Sequence, residues 1–206
     1  MARDLAPIVK RSRREGVALH PKAHKIMVRR KALPGQLSSR GRRSKTSQYS
    51  LQLREKQKVK RIYGLLERQF RKLLHEAERS RGITGEVLLQ LLERRLDNAV
   101  YRLQLAVSRQ AARQLVSHGH LLLNGRRVDV PSIRLKPGDV IAVRPRSLDS
   151  SYFKQRQEEL ADTDLGAVSW LQFDKAKLTG KVTGLPQREE AEPDIAEQLI
   201  VEFYSR

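Results

Sequence analysis

The amino-acid sequence predicts an α+β fold, in which a helical N-terminal domain closed by a C-terminal helix encloses a module of short helices and a small antiparallel sheet. Three observations support this prediction. Apolar residues recur every three or four positions over most of 48–103, which is the helical period. Asn124-Gly125 lies between two short segments and is a strong hairpin signal. An amphipathic segment near the end of the chain needs a partner, which the N-terminal helices can supply.

The chain is therefore divided into three parts. Residues 1–46 are expected to form a basic extended arm, residues 47–94 with 190–206 the helical domain, and residues 95–189 the inserted module with its sheet. The arm contains many arginines and few large apolar side chains, so it buries too little surface to offset its ordering entropy. A solvated tail and an arm that orders on a polyanion both fit this composition, and the second is our expectation.

Two helical stretches are predicted before residue 104. In the first, residues 48–79, Val59, Ile62 and Phe70 belong to one apolar stripe, and Gly64 either kinks the helix or splits it. The second is predicted as one helix that Thr84 caps and that continues to Leu103. The leucines of both stripes have the spacing of packing residues rather than that of a cofactor site.

Residues 108–128 are the most informative segment of the module. Ser108 is the predicted N-cap of a short helix, and Gly119 supplies the left-handed residue that commonly ends one. An apolar strand follows, then the Asn124-Gly125 turn, with Arg126 and Arg127 directly after it. A short helix and a hairpin tip would thus present arginines from a compact framework, which suits a folded nucleic acid read by its shape.

The remaining elements are shorter. Strands are expected at 139–144, 168–173 and 178–182, with a polar helix at 150–161 between the first two. A last helix is predicted with Asp194 as its N-cap and Glu197 completing a capping box, since Ile195, Leu199 and Phe203 recur at steps of four. Residues 199–201 would also tolerate a strand.

The charge balance indicates a polyanionic partner. The chain has 42 Lys plus Arg against 23 Asp plus Glu, a net charge of +19 in 206 residues. Residues 1–60 contain 18 basic and 3 acidic side chains, whereas residues 157–206 contain 5 basic and 11 acidic ones. We therefore expect nucleic acid to contact the first three quarters of the chain.

Other features exclude classes of protein. Without cysteine there is no disulfide framework and no thiolate zinc site, and no apolar segment approaches the roughly 20 residues needed to cross a bilayer. His20 and His24 have helical metal-site spacing but no third ligand nearby, so we expect neither metal nor cofactor. No phosphate-binding glycine loop, nucleophile with a base, or paired carboxylates in an apolar setting is found, so no enzyme activity is predicted. The expected location is the cytoplasm.

The candidate RNA ligands are cations and polar side chains, because arginine binds phosphate bidentately where lysine supplies a point charge. In the arm and the helical domain they are Arg40, Arg42, Arg43, Lys45, Arg54, Lys58, Arg61, Arg68 and Lys72. In the module they are Arg95, Arg102, Arg109, Arg113, Gln114, His118, His120, Asn124, Arg126 and Arg127. A solvated surface charge remains the alternative for any single arginine, and carbonyl capping at the helix end for either histidine. Asp97 is expected to order an arginine.

Several unrelated motifs, in order along nearly the whole chain, resemble the S-four family of bacterial small-subunit ribosomal proteins. The N-terminal ones are Pro34-Gly35-Gln36, Tyr49, Gln52-Leu53-Arg54-Glu55-Lys56-Gln57, Ile62-Tyr63-Gly64 and Leu66-Glu67-Arg68-Gln69-Phe70. Those of the module and the ending are Leu92-Glu93-Arg94-Arg95-Leu96-Asp97-Asn98, the residues 111–119, and Val201-Glu202-Phe203-Tyr204-Ser205. The chain departs from many relatives in lacking the N-terminal cysteines that hold zinc or an iron–sulfur cluster.

The resemblance implies direct binding to small-subunit ribosomal RNA, a role early in subunit assembly, and neighbouring ribosomal proteins as further partners. It also implies contact with messenger RNA near its entrance to the subunit, where Arg40, Arg42, Arg43 and Lys45 match the arm arginines. Neither DNA nor a membrane is expected as a partner. The alternative is a non-ribosomal RNA-binding factor, or an RNA-modifying enzyme that carries the same module, and the latter would need a catalytic domain.

Overall fold

The computed structural model describes residues 6–30, 33–35, 47–161 and 168–205. They form two compact units, one drawn from Met1–Leu88 with Asp194–Arg206 and the other from Leu89–Pro193. The first unit is helical and the second contains a five-stranded antiparallel sheet, which confirms the predicted α+β class. The second unit is slightly larger at both ends than the predicted module, 95–189.

Two helices lie in the segment that was expected to be extended, α1 (Ile8–Glu15) and α2 (Pro21–Arg29). The prediction of an extended arm is therefore wrong for this part. Local signals account for the helices: Gly16 adopts the left-handed conformation after α1, and Pro21 opens α2 behind His20, which accepts a hydrogen bond from the Lys22 amide at 3.1 Å. The expectation of an extended arm was based on the amino-acid composition of residues 1–46, which does not register single capping residues such as these. The candidate ligands Arg40, Arg42, Arg43 and Lys45 lie outside the described residues.

Three further helices build the first unit: α3 (Gln48–Ile62), α4 (Glu67–Arg79) and the last helix of the chain, α10 (Glu197–Tyr204). Gly64 has a φ of 63° and lies where α3 and α4 separate, so the split alternative holds. Helix α10 packs against α3 and buries Ile200 completely. The helix alternative therefore holds, but the N-cap is Ala196, two residues after the predicted Asp194, and no side chain caps the helix. The Asp194 carbonyl instead accepts a hydrogen bond from the Lys58 ammonium.

A polar cluster joins α3, α4 and α10. Glu67 accepts hydrogen bonds from Lys56 and Lys60, each at 2.9 Å, and from the Tyr204 hydroxyl at 2.5 Å. Burial alone would raise the pKa of Glu67, but these three hydrogen bonds outweigh it and lower the pKa to about 2. Burial and the bond to Glu67 raise the pKa of the Tyr204 hydroxyl. The cluster therefore favours the ionised carboxylate.

The helical unit should lose stability in acid through Glu67. Because its folded-state pKa lies below the unfolded value, the stabilisation is complete above the unfolded pKa of 4.5 and is lost as the pH falls towards about 2. Thermal melts followed by far-ultraviolet circular dichroism should show a smaller decrease in Tm between about pH 5 and pH 3 for Glu67→Gln than for the wild type. Glu86→Gln, at an exposed position of the same unit, is the control. Equal acid sensitivity of Glu67→Gln and wild type would contradict this assignment.

The second unit begins within a helix. Helix α5 (Thr84–Glu93) is followed by α6 (Leu96–Arg102) and α7 (Arg109–Ser117), so the prediction of one helix from Thr84 to Leu103 is wrong. Arg95 adopts an extended conformation and forms an isolated β-bridge with Arg134. The predicted cap of α7 is confirmed: Ser108 accepts a hydrogen bond from the Ala111 amide at 3.2 Å. Gly119, with a φ of 71°, follows the helix end as predicted.

The sheet has the strand order β2-β1-β3-β5-β4, and every neighbouring pair is antiparallel. Its strands are β1 (Leu121–Leu123), β2 (Arg126–Val128), β3 (Val140–Val143), β4 (Leu171–Asp174) and β5 (Thr179–Val182). Two helices, α8 (Pro145–Leu148) and α9 (Ser151–Ala161), follow β3. The sheet and helices enclose one core that contains the chain's only tryptophan, Trp170. All predicted strands are thus confirmed, and the Asn124-Gly125 hairpin orients the two arginines of β2.

Candidate RNA-binding surface

The arginines at the start of the module are engaged in internal ion pairs. Arg95 is buried and donates two hydrogen bonds to the Asp97 carboxylate, at 3.0 and 2.8 Å. Arg113 of α7 donates to the same carboxylate at 3.3 Å. Asp97 thus orders two arginines, as predicted, and both cations already have an anionic partner.

A second group of carboxylates binds two more of the predicted arginine ligands, Arg102 and Arg109. Arg102 binds Glu93 bidentately at 3.0 and 2.9 Å, and Arg109 donates to Glu192 at 2.6 Å and to the Asn98 side chain at 2.9 Å. Burial alone would raise the pKa of Glu192, but Arg109 and Arg102 outweigh it and lower that pKa. These contacts neutralise Arg102 and Arg109 within the unit and link α5, α6 and α7 to the segment after β5.

Asn124 orients the hairpin tip. Its side-chain oxygen accepts a hydrogen bond from the Val140 amide at 2.8 Å, and its side-chain nitrogen donates to Asp139 at 2.9 Å. The other oxygen of Asp139 accepts from the Lys136 amide at 2.7 Å. The hairpin turn and the turn at 136–138 are therefore held side by side. Both carry exposed cations, Arg126 on the hairpin and Lys136 on the second turn.

The end of α7 brings together cations from several elements. The rings of His118 and His120 lie 6.1 Å apart, and Nδ1 of His120 contacts the Ser147 hydroxyl at 3.1 Å. Burial, with the positive charges of His118 and Arg144, lowers the pKa of His120. Gln114 is exposed on the last turn of α7, and Arg127 reaches the same end of the helix from β2. This end of the unit therefore has an excess of positive charge.

In the helical unit, the predicted ligands separate into paired and unpaired side chains. Arg54 and Arg61 both contact the buried carboxylate of Glu15, and Lys58 contacts Glu55 at 3.2 Å. Burial raises the pKa of Glu15 despite the two arginines. By contrast, Arg68 and Lys72 are exposed on α4, and neither forms an ion pair with a carboxylate of the described residues.

The exposed cations of α4 continue beyond the two predicted ones. Arg68, Lys72, His75 and Arg79 are spaced by three or four residues, so they share the face opposite the buried Phe70, Leu73, Leu74 and Ala77. We call these four side chains the α4 stripe. His75 contacts Glu78 at 2.9 Å, whereas Arg79 forms no ion pair within the described part of the chain. Sequence reasoning omitted Arg79, although its helical spacing from Lys72 was visible.

No group of three or more potential metal ligands occurs among the described residues. His20 acts as the N-cap of α2. Of the helices described, none is long and apolar enough to span a membrane.

Comparisons with known proteins identify the family. The model of the ribosomal protein S4/S9 N-terminal domain matches residues 3–93, and that of the S4 domain matches residues 94–141. Small ribosomal subunit protein uS4 of Chloroflexus aurantiacus is 52% identical over 206 residues, and that of Roseiflexus castenholzii is 51% identical over 206 residues. The protein of the same name from Thermus thermophilus is 48% identical over 212 residues, and each comparison covers 100% of both chains. The chain belongs to the uS4 family.

Membership of the uS4 family confirms the resemblance that the sequence motifs indicated. The family consists of ribosomal proteins, which are structural rather than enzymatic, and its S4 domain is an RNA-binding module. The S4 match begins at residue 94, where α5 ends and the chain turns through Arg95 into α6. It includes α6, α7, the hairpin and the first residues of β3. The match therefore includes the four internally paired arginines and the exposed arginines of the hairpin, whereas Glu93 and Glu192 lie outside it.

Proposed function

We propose that this chain, as a constituent of the small ribosomal subunit in the cytoplasm, binds small-subunit ribosomal RNA directly through two surfaces. One is the α4 stripe, and the other is formed by the hairpin and the end of α7, with Arg126, Arg127, Lys136, His118 and Arg144. The observation that carries the proposal is the distribution of ion pairs. Apart from His75, which contacts Glu78, the cations of these two surfaces have no carboxylate partner among the described residues. By contrast, Arg95, Arg102, Arg109 and Arg113 are neutralised internally.

The α4 stripe fits a phosphate backbone rather than a base edge. Its four members span twelve residues of helix, from Arg68 to Arg79, which at a rise of 1.5 Å per residue places the ends about 16 Å apart. Cations repeated along a helix can neutralise several successive phosphates, and such contacts are independent of sequence. The hairpin surface is compact and combines arginine with histidine, which suits a structured RNA site. We therefore assign most of the salt-dependent part of the RNA affinity to the α4 stripe. The hairpin surface is assigned the recognition of RNA shape.

We also propose roles in subunit assembly, in contact with messenger RNA and in contact with neighbouring proteins, on the basis of the family resemblance and the charge distribution. Early binding in subunit assembly requires that the isolated chain bind RNA before other proteins do, and the exposed surfaces described above support this. Contact with messenger RNA at its entrance is assigned to Arg40, Arg42, Arg43 and Lys45, in a segment without acidic residues. Residues 157–206 contain 11 acidic side chains, which would favour basic neighbouring ribosomal proteins over RNA.

Charge removal from the α4 stripe tests the RNA assignment. Arg68→Ala, Lys72→Ala and Arg79→Ala combined should weaken binding of the full chain to naked small-subunit ribosomal RNA. The slope of log K against log salt should fall by about two, since each lost phosphate contact contributes roughly 0.7–0.9. Filter binding from low to moderate salt measures both quantities.

The matched control removes the same charge elsewhere. Lys154→Ala, Lys177→Ala and Lys181→Ala combined change three exposed lysines outside the two proposed surfaces. This variant should keep the wild-type slope. A stripe variant with an unchanged slope, or a control that loses as much as the stripe variant, would overturn the assignment to α4.

A further inference from the structure

The guanidinium of Arg127 lies directly against Gly119. A Cβ built on Gly119 would overlap the Arg127 Nε, and it would lie 2.7 Å from Nη2 and 3.0 Å from Cζ. Cβ atoms essentially never approach other heavy atoms this closely. The space that a side chain at 119 would fill is therefore occupied by the arginine of the neighbouring strand.

The helix end alone does not account for this contact. Gly119 needs a left-handed conformation, with a φ of 71°, to end α7, and Gly16 does the same after α1 with a φ of 75°. At Gly16, however, no atom lies within 4 Å of an added Cβ. Gly125 and Gly138, which also have positive φ angles, are equally open. Of these four glycines, only Gly119 has a cation at the position that a Cβ would occupy.

Two features place Arg127 at this point of the surface. Its backbone lies opposite Leu122 in the β1–β2 ladder, and its guanidinium is held at the C-terminal end of α7, where the helix dipole stabilises a positive charge. The chain neighbours of Gly119 are His118 and His120, and the His120 carbonyl accepts a hydrogen bond from the Arg144 amide at 2.8 Å. No carboxylate of the described residues pairs with Arg127.

We propose that Gly119 is a positioning residue for RNA binding: its missing side chain seats the Arg127 guanidinium at the end of α7, where it binds a phosphate group of the RNA between the cations of this surface. A guanidinium can bind a phosphate bidentately, and one that already lies at its binding position loses less rotamer freedom on binding than one that must first be brought there. The inference rests on the proposed function, because the phosphate is assumed to belong to ribosomal RNA.

A substitution of Gly119 is expected to affect RNA affinity and folding stability to different extents. An added Cβ meets the far end of a flexible side chain, which can move away, so the fold should tolerate it apart from the backbone strain. The displaced guanidinium would no longer lie against the helix end. Substitution of Gly119 should therefore reduce RNA affinity more than it reduces folding stability.

A double-mutant cycle on the full chain tests this with naked small-subunit ribosomal RNA as the probe. Arg127→Ala should weaken binding about tenfold, the effect expected for a hydrogen bond to a charged group, and lower the salt slope by about one. Gly119→Asn should weaken binding nearly as much, because asparagine tolerates the left-handed conformation but still displaces the arginine. The double variant should bind no more weakly than Arg127→Ala alone.

Controls assign each failure to one cause. Gly16→Ala introduces a side chain at an equal φ into open space and should leave RNA affinity unchanged, and Trp170 fluorescence melts establish that the Gly119 variants are folded. Failure of the wild-type chain to bind the RNA would overturn the proposed function itself. Wild-type binding by Arg127→Ala would overturn the phosphate contact. Additive losses in the double variant, or wild-type binding by folded Gly119→Asn, would overturn the seating role while leaving the proposed function intact.

Discussion

Asp97→Ala should lower the free energy of unfolding of the 89–193 unit by about 3–5 kcal/mol, the cost of removing one partner of a buried ion pair. The carboxylate accepts two hydrogen bonds from Arg95, one from Arg113 and one from the Asn98 amide at 3.0 Å. Without it, Arg95, a residue only 4% exposed, would have lost the anionic partner of its guanidinium in the interior.

Urea denaturation followed by tryptophan fluorescence measures this loss. Trp170 is the chain's only tryptophan, is 1% exposed and lies in the core of this unit, so its emission reports the unfolding of that unit. Asp129→Ala, at an exposed position of the same unit, is the matched control and should change stability by less than about 0.5 kcal/mol. If Asp97→Ala cost no more than Asp129→Ala, the ion pair would contribute nothing to the fold.

The elements whose conformation depends on neighbouring residues were predicted correctly from the sequence. The cap of α7, the left-handed Gly119 and the Asn124-Gly125 hairpin all depend on residues that are close in sequence, and each occurs where expected. The strands after the hairpin follow from alternating apolar residues bounded by turns. For such elements a single sequence contains the physical information that determines the conformation.

The break between α5 and α6 could not be predicted in this way, because partners distant in sequence cause it. The Leu96 amide donates to the Ile133 carbonyl at 2.8 Å, and the Leu135 amide donates to the Arg94 carbonyl at 2.9 Å. These hydrogen bonds to the segment after the hairpin replace those that a continuous helix would make. The leucine spacing is preserved across the break, so periodicity alone indicates one helix.

The candidate site shows the same limit. Arg109 was a reasonable RNA ligand from its position beside the hairpin, but its partner Glu192 lies 83 residues away in sequence. Composition showed that cations are in excess and could not show which of them fold into ion pairs. A closer signal existed for Arg95, since Asp97 is two residues away and was expected to order an arginine. For Arg79 the signal was also local, since it follows Lys72 by seven residues and so lies on the same helix face.

Ile200→Ala should destabilise the helical unit by about 2–5 kcal/mol, the range for truncating a fully buried aliphatic side chain. Ile200 is 0% exposed on α10, which packs against α3. Other contacts between these helices are polar or aromatic: Gln52 donates to Glu202 at 2.8 Å, and the Lys56 ammonium lies 4.5 Å from the centre of the Phe203 ring. Ile200 is therefore the principal buried aliphatic group that α10 supplies.

Far-ultraviolet thermal melts, with Trp170 fluorescence as the readout of the other unit, localise the effect. Gln198→Ala changes an exposed position of the same helix, preserves the apolar contact and should shift Tm little. Whether Ile200→Ala lowers the melting temperature below that of Gln198→Ala distinguishes two models of the role of α10. If the last residues close the helical domain, Ile200→Ala lowers the melting temperature of that unit and leaves the fluorescence transition in place. If the last residues only follow the folded protein as a tail, both variants melt like the wild type. The description of a helical domain closed by the C-terminal helix would then be wrong.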